Sequence, residues 1–315
     1  MTRHINAIVL TIFILSGFTG LCYEICWIRS ASQIFGSTTF AVSSVVALFF
    51  TGMALGSQYF GSRSHHYSEP LKVYALLEIG IGVFAIISLQ LLSIFEIPYQ
   101  WLYSSYYQNG IVISAIRLLL IALIIIPPTF MMGGTLPLFT QFYEASSRAK
   151  PDSLAFLYSI NTIGAAVGCL VCGFILLPML GISKTLFMIG LMAQAAGIFI
   201  LYALKKNSGP VDCTFKAVPD HATHIHFTDS AERGLLYAII FGTGFCALSY
   251  EILWTRFLSL IIHNTVYTYT ISLLIALIGI AVGSYIAQFR KPSDNHVAIL
   301  GLVQILSAIF VLVSF

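Results

Sequence analysis

Two glutamates share one setting. Glu24 lies in Tyr23-Glu24-Ile25-Cys26-Trp27-Ile28-Arg29, and Glu251 lies in Tyr250-Glu251-Ile252-Leu253-Trp254-Thr255-Arg256. Each sits about four turns into an apolar run, where a carboxylate is costly and marks either an ion or substrate path or a structural pair. Glu24 and Arg29 are five residues apart on one helix. That separation is roughly 140° around the axis, poor for a direct pair. If the two segments face each other, Glu24 meets Arg256 and Glu251 meets Arg29. Two readings then stand: a clamp that holds the segments in register, or a site for a substrate or a proton. Trp27 and Trp254 are expected to be interfacial anchors or packing partners. Glu78, Asn161 and Arg117 add polar positions in other apolar runs, and Gln304 matches Glu78 if one residue is deleted. Together they could line a cavity whose acidic side chains suit a cationic solute better than an anionic one.

The remaining reactive side chains give less. Cys22, Cys26, Cys169 and Cys172 fall in apolar runs, where cysteine behaves as a small hydrophobe; a redox relay is the other reading of the Cys-x-x-Cys spacing. His221, His224 and His226 stand beside Asp220 and Asp229 in a polar stretch, read as a solvated loop or a metal-capturing one. No metal or cofactor is assigned. There is no nucleotide-binding glycine loop, all five Asp residues (Asp152, Asp212, Asp220, Asp229, Asp294) lie outside the apolar runs, and no nucleophile–base–acid set is recognisable. No catalytic residue is assigned, whether the chain is an enzyme stays open, and no nucleic-acid partner is indicated.

These residues must be positioned by helices in a bilayer. The chain has 315 residues, 58% hydrophobic and only 9% charged, with a mean hydropathy of +0.92. Soluble domains carry about 25% charged residues, so a disordered chain, a disulfide scaffold and an ordinary cytosolic enzyme are excluded. Hydropathy predicts nine spans: 7–29, 38–60, 71–95, 110–132, 154–178, 183–204, 234–257, 266–288 and 296–315. Only helices or closed barrels satisfy the backbone in lipid. Ile121–Pro127 and Ile271–Val282 do not alternate as barrel strands must, so the fold is read as all-α. Pro127-Pro128 and Gly133-Gly134 are expected to break the fourth helix and form a hinge. Gly52-x-x-x-Gly56, Gly164-x-x-x-Gly168 and Gly279-x-x-x-Gly283 suit close helix packing.

Orientation follows the basic residues. Arg3, Arg63, Lys72, Arg148, Lys150, Lys205, Lys206, Lys216, Arg233, Arg290 and Lys291 fall on one side, eleven of the fifteen. The positive-inside rule makes that side cytoplasmic, with the amino terminus there and the end of the last helix outside. The loop Glu96–Gly110 is read as an outward aromatic belt carrying Tyr99, Trp101, Tyr103, Tyr106 and Tyr107.

The sequence also matches itself without a gap at an offset of 227. Gly17-Phe18 aligns with Gly244-Phe245, the Glu24 segment with the Glu251 segment, Thr38 with Thr265, and Gly52–Ser57 with Gly279–Ser284. Shared hydrophobicity would not place Glu, Trp, Arg and three Gly in register. The first segment recurs internally, so it is read as a retained helix rather than a cleaved signal peptide. The unit spans six helices, an even number, which makes a parallel repeat like that of major facilitator halves. The organisation expected is a six-helix repeat over 1–205, a cytoplasmic linker over 206–233, and an incomplete second repeat over 234–315. Partners expected are the lipid bilayer and a chain that completes the second repeat or carries a catalytic domain.

Gly17–Arg29, Gly52–Ser57, Pro128-Thr129-Phe130-Met131-Met132-Gly133-Gly134-Thr135-Leu136-Pro137 and Tyr158–Ala165 together resemble the membrane portion of bacterial spermidine-synthase-like proteins. In that family a transporter-like bundle is fused to a polyamine aminopropyltransferase domain. The resemblance implies a multi-pass bundle in the bacterial inner membrane and a link to polyamines. None of the family's aminopropyltransferase residues has a counterpart in this sequence. The functions expected are a module that moves a small cationic metabolite such as a polyamine, or a membrane anchor for a separately supplied synthase.

Overall fold

The computed structural model describes residues 2–35, 38–106, 108–145, 153–206, 230–261, 265–287 and 296–314. Among them every regular element is helical and no strand occurs. Helix α1 spans Thr2–Phe35 and α2 spans Thr38–Arg63, followed by a 3-10 turn at Ser64–His66. Then come α3 (Pro70–Tyr106), α4 (Gly110–Ala145) and α5 (Ser153–Val171). A π-turn at Cys172–Leu176 leads into α6 (Leu177–Lys206). The rest is α7 (Ser230–Ile261), α8 (Thr265–Ala287) and α9 (His296–Ser314). Seven stretches are long and apolar enough to cross a membrane, and Gly301–Val313 is a shorter apolar helix. The composition demands this: with no water in hydrocarbon, each segment must bond its own backbone.

From Leu154 the helix runs 53 residues to Lys206. At 1.5 Å per residue that is about 80 Å, far beyond a ~30 Å hydrocarbon core. Gly181 divides it, with φ 74° and ψ 177°, a backbone that only glycine adopts at low cost. The bend falls between the segments 154–178 and 183–204 that hydropathy separates.

Three expectations are corrected. First, α4 does not break at its prolines: it is continuous with Pro127, Pro128 and Pro137 inside. It is gripped by α2 and α3, with Gly133 against the Met53 carbonyl and Gly80 against Met131. Thr129 Oγ1 also bonds the Ile125 carbonyl at 2.7 Å within the same turn. That packing outweighs the helix hydrogen bonds the prolines cannot make. Second, Glu96–Gly110 is not a loop, because α3 continues to Tyr106. Trp101 is 68% exposed as an interfacial residue would be, but Tyr99 is only 6% exposed and packs inward. Third, the segment read as a linker over 206–233 is helical from Ser230; its residues 207–229, with His221, His224 and His226, lie outside the described residues.

Helix α1 packs on α5, α6 and α2, while α4 lies against α2 and α3, and α3 against α6. The α1–α5 seam is tight because small residues let backbones meet: Gly164 and Gly168 face the carbonyls of Ile14 and Phe18, and Gly17 faces that of Asn161. One apolar cluster gathers Tyr23, Trp27, Phe49, Ile125, Leu186 and Tyr269. A second gathers Phe13, Tyr74, Phe139, Leu157 and Ile200, with Phe13 and Phe139 stacked at 4.1 Å. Helix α8 joins this body through α5; Ser159 Oγ donates to the Ala281 carbonyl at 3.1 Å. Helix α7 leans on α8 and largely faces outward.

Candidate functional site

The Glu24 side chain is 2% exposed, because α1 turns that face toward α5 and α8. Its partner comes from α8: Tyr269 Oη donates to Glu24 Oε1 at 2.7 Å. Glu251 on α7 lies within Coulomb range of both Glu24 and Tyr269, and its buried Oε1 has no hydrogen-bond partner. Cys169 on α5 feels both carboxylates and is held by an Sγ contact of 3.4 Å to the Thr270 carbonyl. Four helices thus converge on two carboxylates and a phenol. Two carboxylates and a phenol are groups that can hold a proton or a cation, and none of them carries positive charge.

The expected cross-pairs do not form. Among the described residues the one ion pair is Lys72 with Glu69, at 3.1 Å on the surface. Arg29 and Arg256 are exposed, and α1 and α7 do not face each other along their lengths: α1 packs chiefly on α5 and α6, α7 on α8. The seam near Glu24 is made by α8, so a phenol rather than a guanidinium reaches the carboxylate. The two repeated glutamates are nonetheless neighbours.

Glu78 on α3 forms a separate buried position beside Tyr74 and Ser16. Tyr74 Oη and Glu78 Oε1 have no partner at hydrogen-bonding distance. Asn161 is half-buried on α5 against Gly17. Gln304 on α9 donates to Thr243 Oγ1 on α7 at 3.0 Å. Arg117 donates through Nε to Tyr99 Oη at 2.9 Å, and its guanidinium carbon lies 5.7–5.8 Å from the rings of Phe35, Phe40, Tyr99 and Tyr103. That is an aromatic cage around a cation. Trp27 is a packing residue, 2% exposed, whose Nε1 donates to Ser88 Oγ at 3.2 Å.

Sequence reasoning missed Tyr269 and the Arg117 cage. A signal for Tyr269 exists: at the 227 offset it stands against Val42, a polar group where the self-match has an aliphatic one. The cage has no such signal, since its rings come from separate helices. The four buried cysteines meet at the α1–α5 seam, with Cys26 Sγ 3.9 Å from Cys172 Sγ, and are free thiols. Among the described residues no cluster of metal-ligating side chains occurs.

With these positions fixed, comparison with known proteins gives the chain a relationship. It is similar to polyamine aminopropyltransferases. Polyamine aminopropyltransferase 1 of Streptomyces coelicolor is 27% identical over 211 residues, covering 66% of this chain and 36% of that protein. Polyamine aminopropyltransferase 2 of Ralstonia nicotianae is 24% identical over 209 residues, covering 66% of this chain and 38% of that one. The matched part is thus little more than a third of the curated relatives' length. No family model matches the chain, and no solved structure matches it. The spermidine-synthase-like relationship rests on these two distant relatives.

Proposed function

We propose that the chain is the membrane-embedded module of a spermidine-synthase-like system, anchoring aminopropyl-transfer machinery at the bacterial inner membrane. The observation that carries this reading is the similarity of an apolar helical chain to proteins of that name. Two proteins named for aminopropyl transfer resemble a chain whose regular elements, among the described residues, are all helical, with seven stretches long and apolar enough to cross a membrane. In this reading the module comprises two like-oriented units, 1–205 and 234–315, in the manner of major facilitator halves, with the amino terminus cytoplasmic. Aminopropyl transfer in this reading belongs to a domain outside these two units. The test is fractionation: aminopropyl transfer to putrescine is assayed in membrane and soluble fractions of the host, with the gene present and deleted. Activity moving from the membrane to the soluble fraction on deletion is expected; an unchanged distribution would overturn the reading.

A second reading has its own support. The Glu24–Tyr269–Glu251 group, buried among α1, α5, α7 and α8, suits passage of a small cationic amine. Labelled spermidine flux into proteoliposomes tests it. Glu24→Gln and Glu251→Gln should each lower the flux, and flux unchanged in both would remove these residues from any path.

A further inference from the structure

Glu78 is the buried carboxylate that neither reading of the function uses. It lies on α3 and is 1% exposed. Among the described residues no basic side chain pairs with it, the one ion pair being Lys72 with Glu69. The side chains that act on it carry oxygen. Ser16 approaches from α1, and Tyr74 stands four residues earlier on the same face of α3. The Tyr74 ring packs against Phe139 at 5.5 Å and Phe13 at 6.4 Å, and the residue is fully buried. Tyr23 also lies within Coulomb range of Glu78, but its Oη donates to the Ile189 carbonyl at 3.0 Å.

Tyr74 Oη and Glu78 Oε1 are both sealed from solvent, and neither has a hydrogen-bond partner. A phenol one turn from a carboxylate would ordinarily donate to it. Two such oxygens left open side by side are what a cation between them requires: around a hard ion at about 2.4 Å, neighbouring oxygens stand about 3.4 Å apart, wider than the ~2.7 Å of an O–H···O bond. A proton on Glu78 would cancel the charge but leave the phenol oxygen unbonded. Carboxylate, phenol and hydroxyl are hard donors that suit a hard ion, and one carboxylate balances a single positive charge. The room is small. Helix α6 presses on the turn between the two residues, where a Cβ on Gly197 would collide with the Ala75 carbonyl and the Ile79 side chain. That suits a single ion rather than an alkylamine.

We propose that Glu78, Tyr74 and Ser16 bind one sodium ion between α3 and α1. The carboxylate supplies the charge, the phenol and the hydroxyl supply further oxygens, and the ion ties the two helices at that level. Such a site needs no cluster of His, Cys, Asp and Glu, the set that softer metals call for. It stands whether the chain anchors a synthase or passes an amine.

The experiment measures labelled sodium bound to the purified full chain in detergent, with choline making up the ionic strength. Saturable binding at one site per chain is expected, and the unfolding midpoint should rise with sodium but not with choline. Glu78→Gln keeps the shape and removes the charge, so it should lose the binding. Glu69→Gln, at an exposed carboxylate, should bind as the parent does. Tyr74→Phe and Ser16→Ala each remove one oxygen and should weaken the affinity about tenfold; these two variants decide the question if Glu78→Gln does not fold. A parent that binds no sodium, a Glu78→Gln variant that binds it as the parent does, or an affinity unmoved by both Tyr74→Phe and Ser16→Ala would overturn the proposal.

Discussion

Tyr269 and Glu24 are 245 residues apart in the chain and 2.7 Å apart in space. Their hydrogen bond ties α1 to α8 in the interior, across the seam between the two like sequences. A carboxylate so enclosed needs a donor: leaving a buried acceptor unsatisfied costs about 1–3 kcal/mol, and more for a charged one.

Tyr269→Phe keeps the ring and removes only that donor. The purified protein should lose about 1–3 kcal/mol of stability, measured as a lower midpoint of thermal unfolding in detergent. Combining it with Glu24→Leu should recover much of the loss, because the orphaned carboxylate is then gone. A single variant as stable as the parent would mean that the bond contributes nothing.

The helical class was legible because it rests on a one-dimensional pattern of long apolar runs; the recurrence of Glu, Trp, Arg and Gly in register is a pattern of the sequence alone. The wrong expectations concern what surrounds each pattern. Pro127-Pro128 reads as a break only if α4 is taken alone, and the grip of α2 and α3 is invisible along the chain. The pairing of Glu24 with Arg256 assumed that like segments meet face to face, whereas α8 is the element that reaches α1. Tyr269 stands against Val42 at the 227 offset, so the self-match of the sequence could not point to the phenol that reaches Glu24.

Gly56 on α2 and Gly283 on α8 should respond differently to the same change. Gly56→Ala drives a methyl into the Phe130 carbonyl, and overpacking of this kind costs about 1–3 kcal/mol. Gly283→Ala meets nothing within 4 Å, so the purified chain should be unchanged or gain up to about 1 kcal/mol from helix propensity. Unfolding midpoints of both variants, measured side by side, check the asymmetry. Equal destabilisation would show that the α8 face is already covered.

Arg117 is a test of shape against charge. Arg117→Lys keeps the positive charge but loses the planar group, whose Nε donates to Tyr99 Oη at 2.9 Å. Cation–π contact is worth about 0.5–2 kcal/mol and favours arginine's stacking geometry. The lysine variant should therefore be destabilised by about 1 kcal/mol, and Tyr99→Phe by a similar amount through the lost hydrogen bond. Because both remove one contact, the double variant should cost less than the sum of the two. Additive losses in unfolding midpoints would show that Arg117 and Tyr99 act independently.

Cys26 and Cys172 place two free thiols 3.9 Å apart on α1 and the π-turn that follows α5. Their neighbours are buried, and Cys22 and Cys169 are each held by a backbone carbonyl at 3.4 Å, that of Gly168 on α5 and that of Thr270 on α8. A membrane-permeant oxidant should therefore join Cys26 to Cys172 in preference to any other pair, whereas an impermeant one should leave them reduced. Mass spectrometry of non-reduced peptides reads the linkage. Closing a loop this long stabilises a chain by up to about 5 kcal/mol in the chain-entropy model, so the oxidised protein should unfold at higher temperature, and Cys26→Ser should abolish both the link and the shift. Oxidation that instead links Cys22 to Cys169, or that leaves the unfolding midpoint unmoved, would mean that α1 and the π-turn do not meet at these two residues.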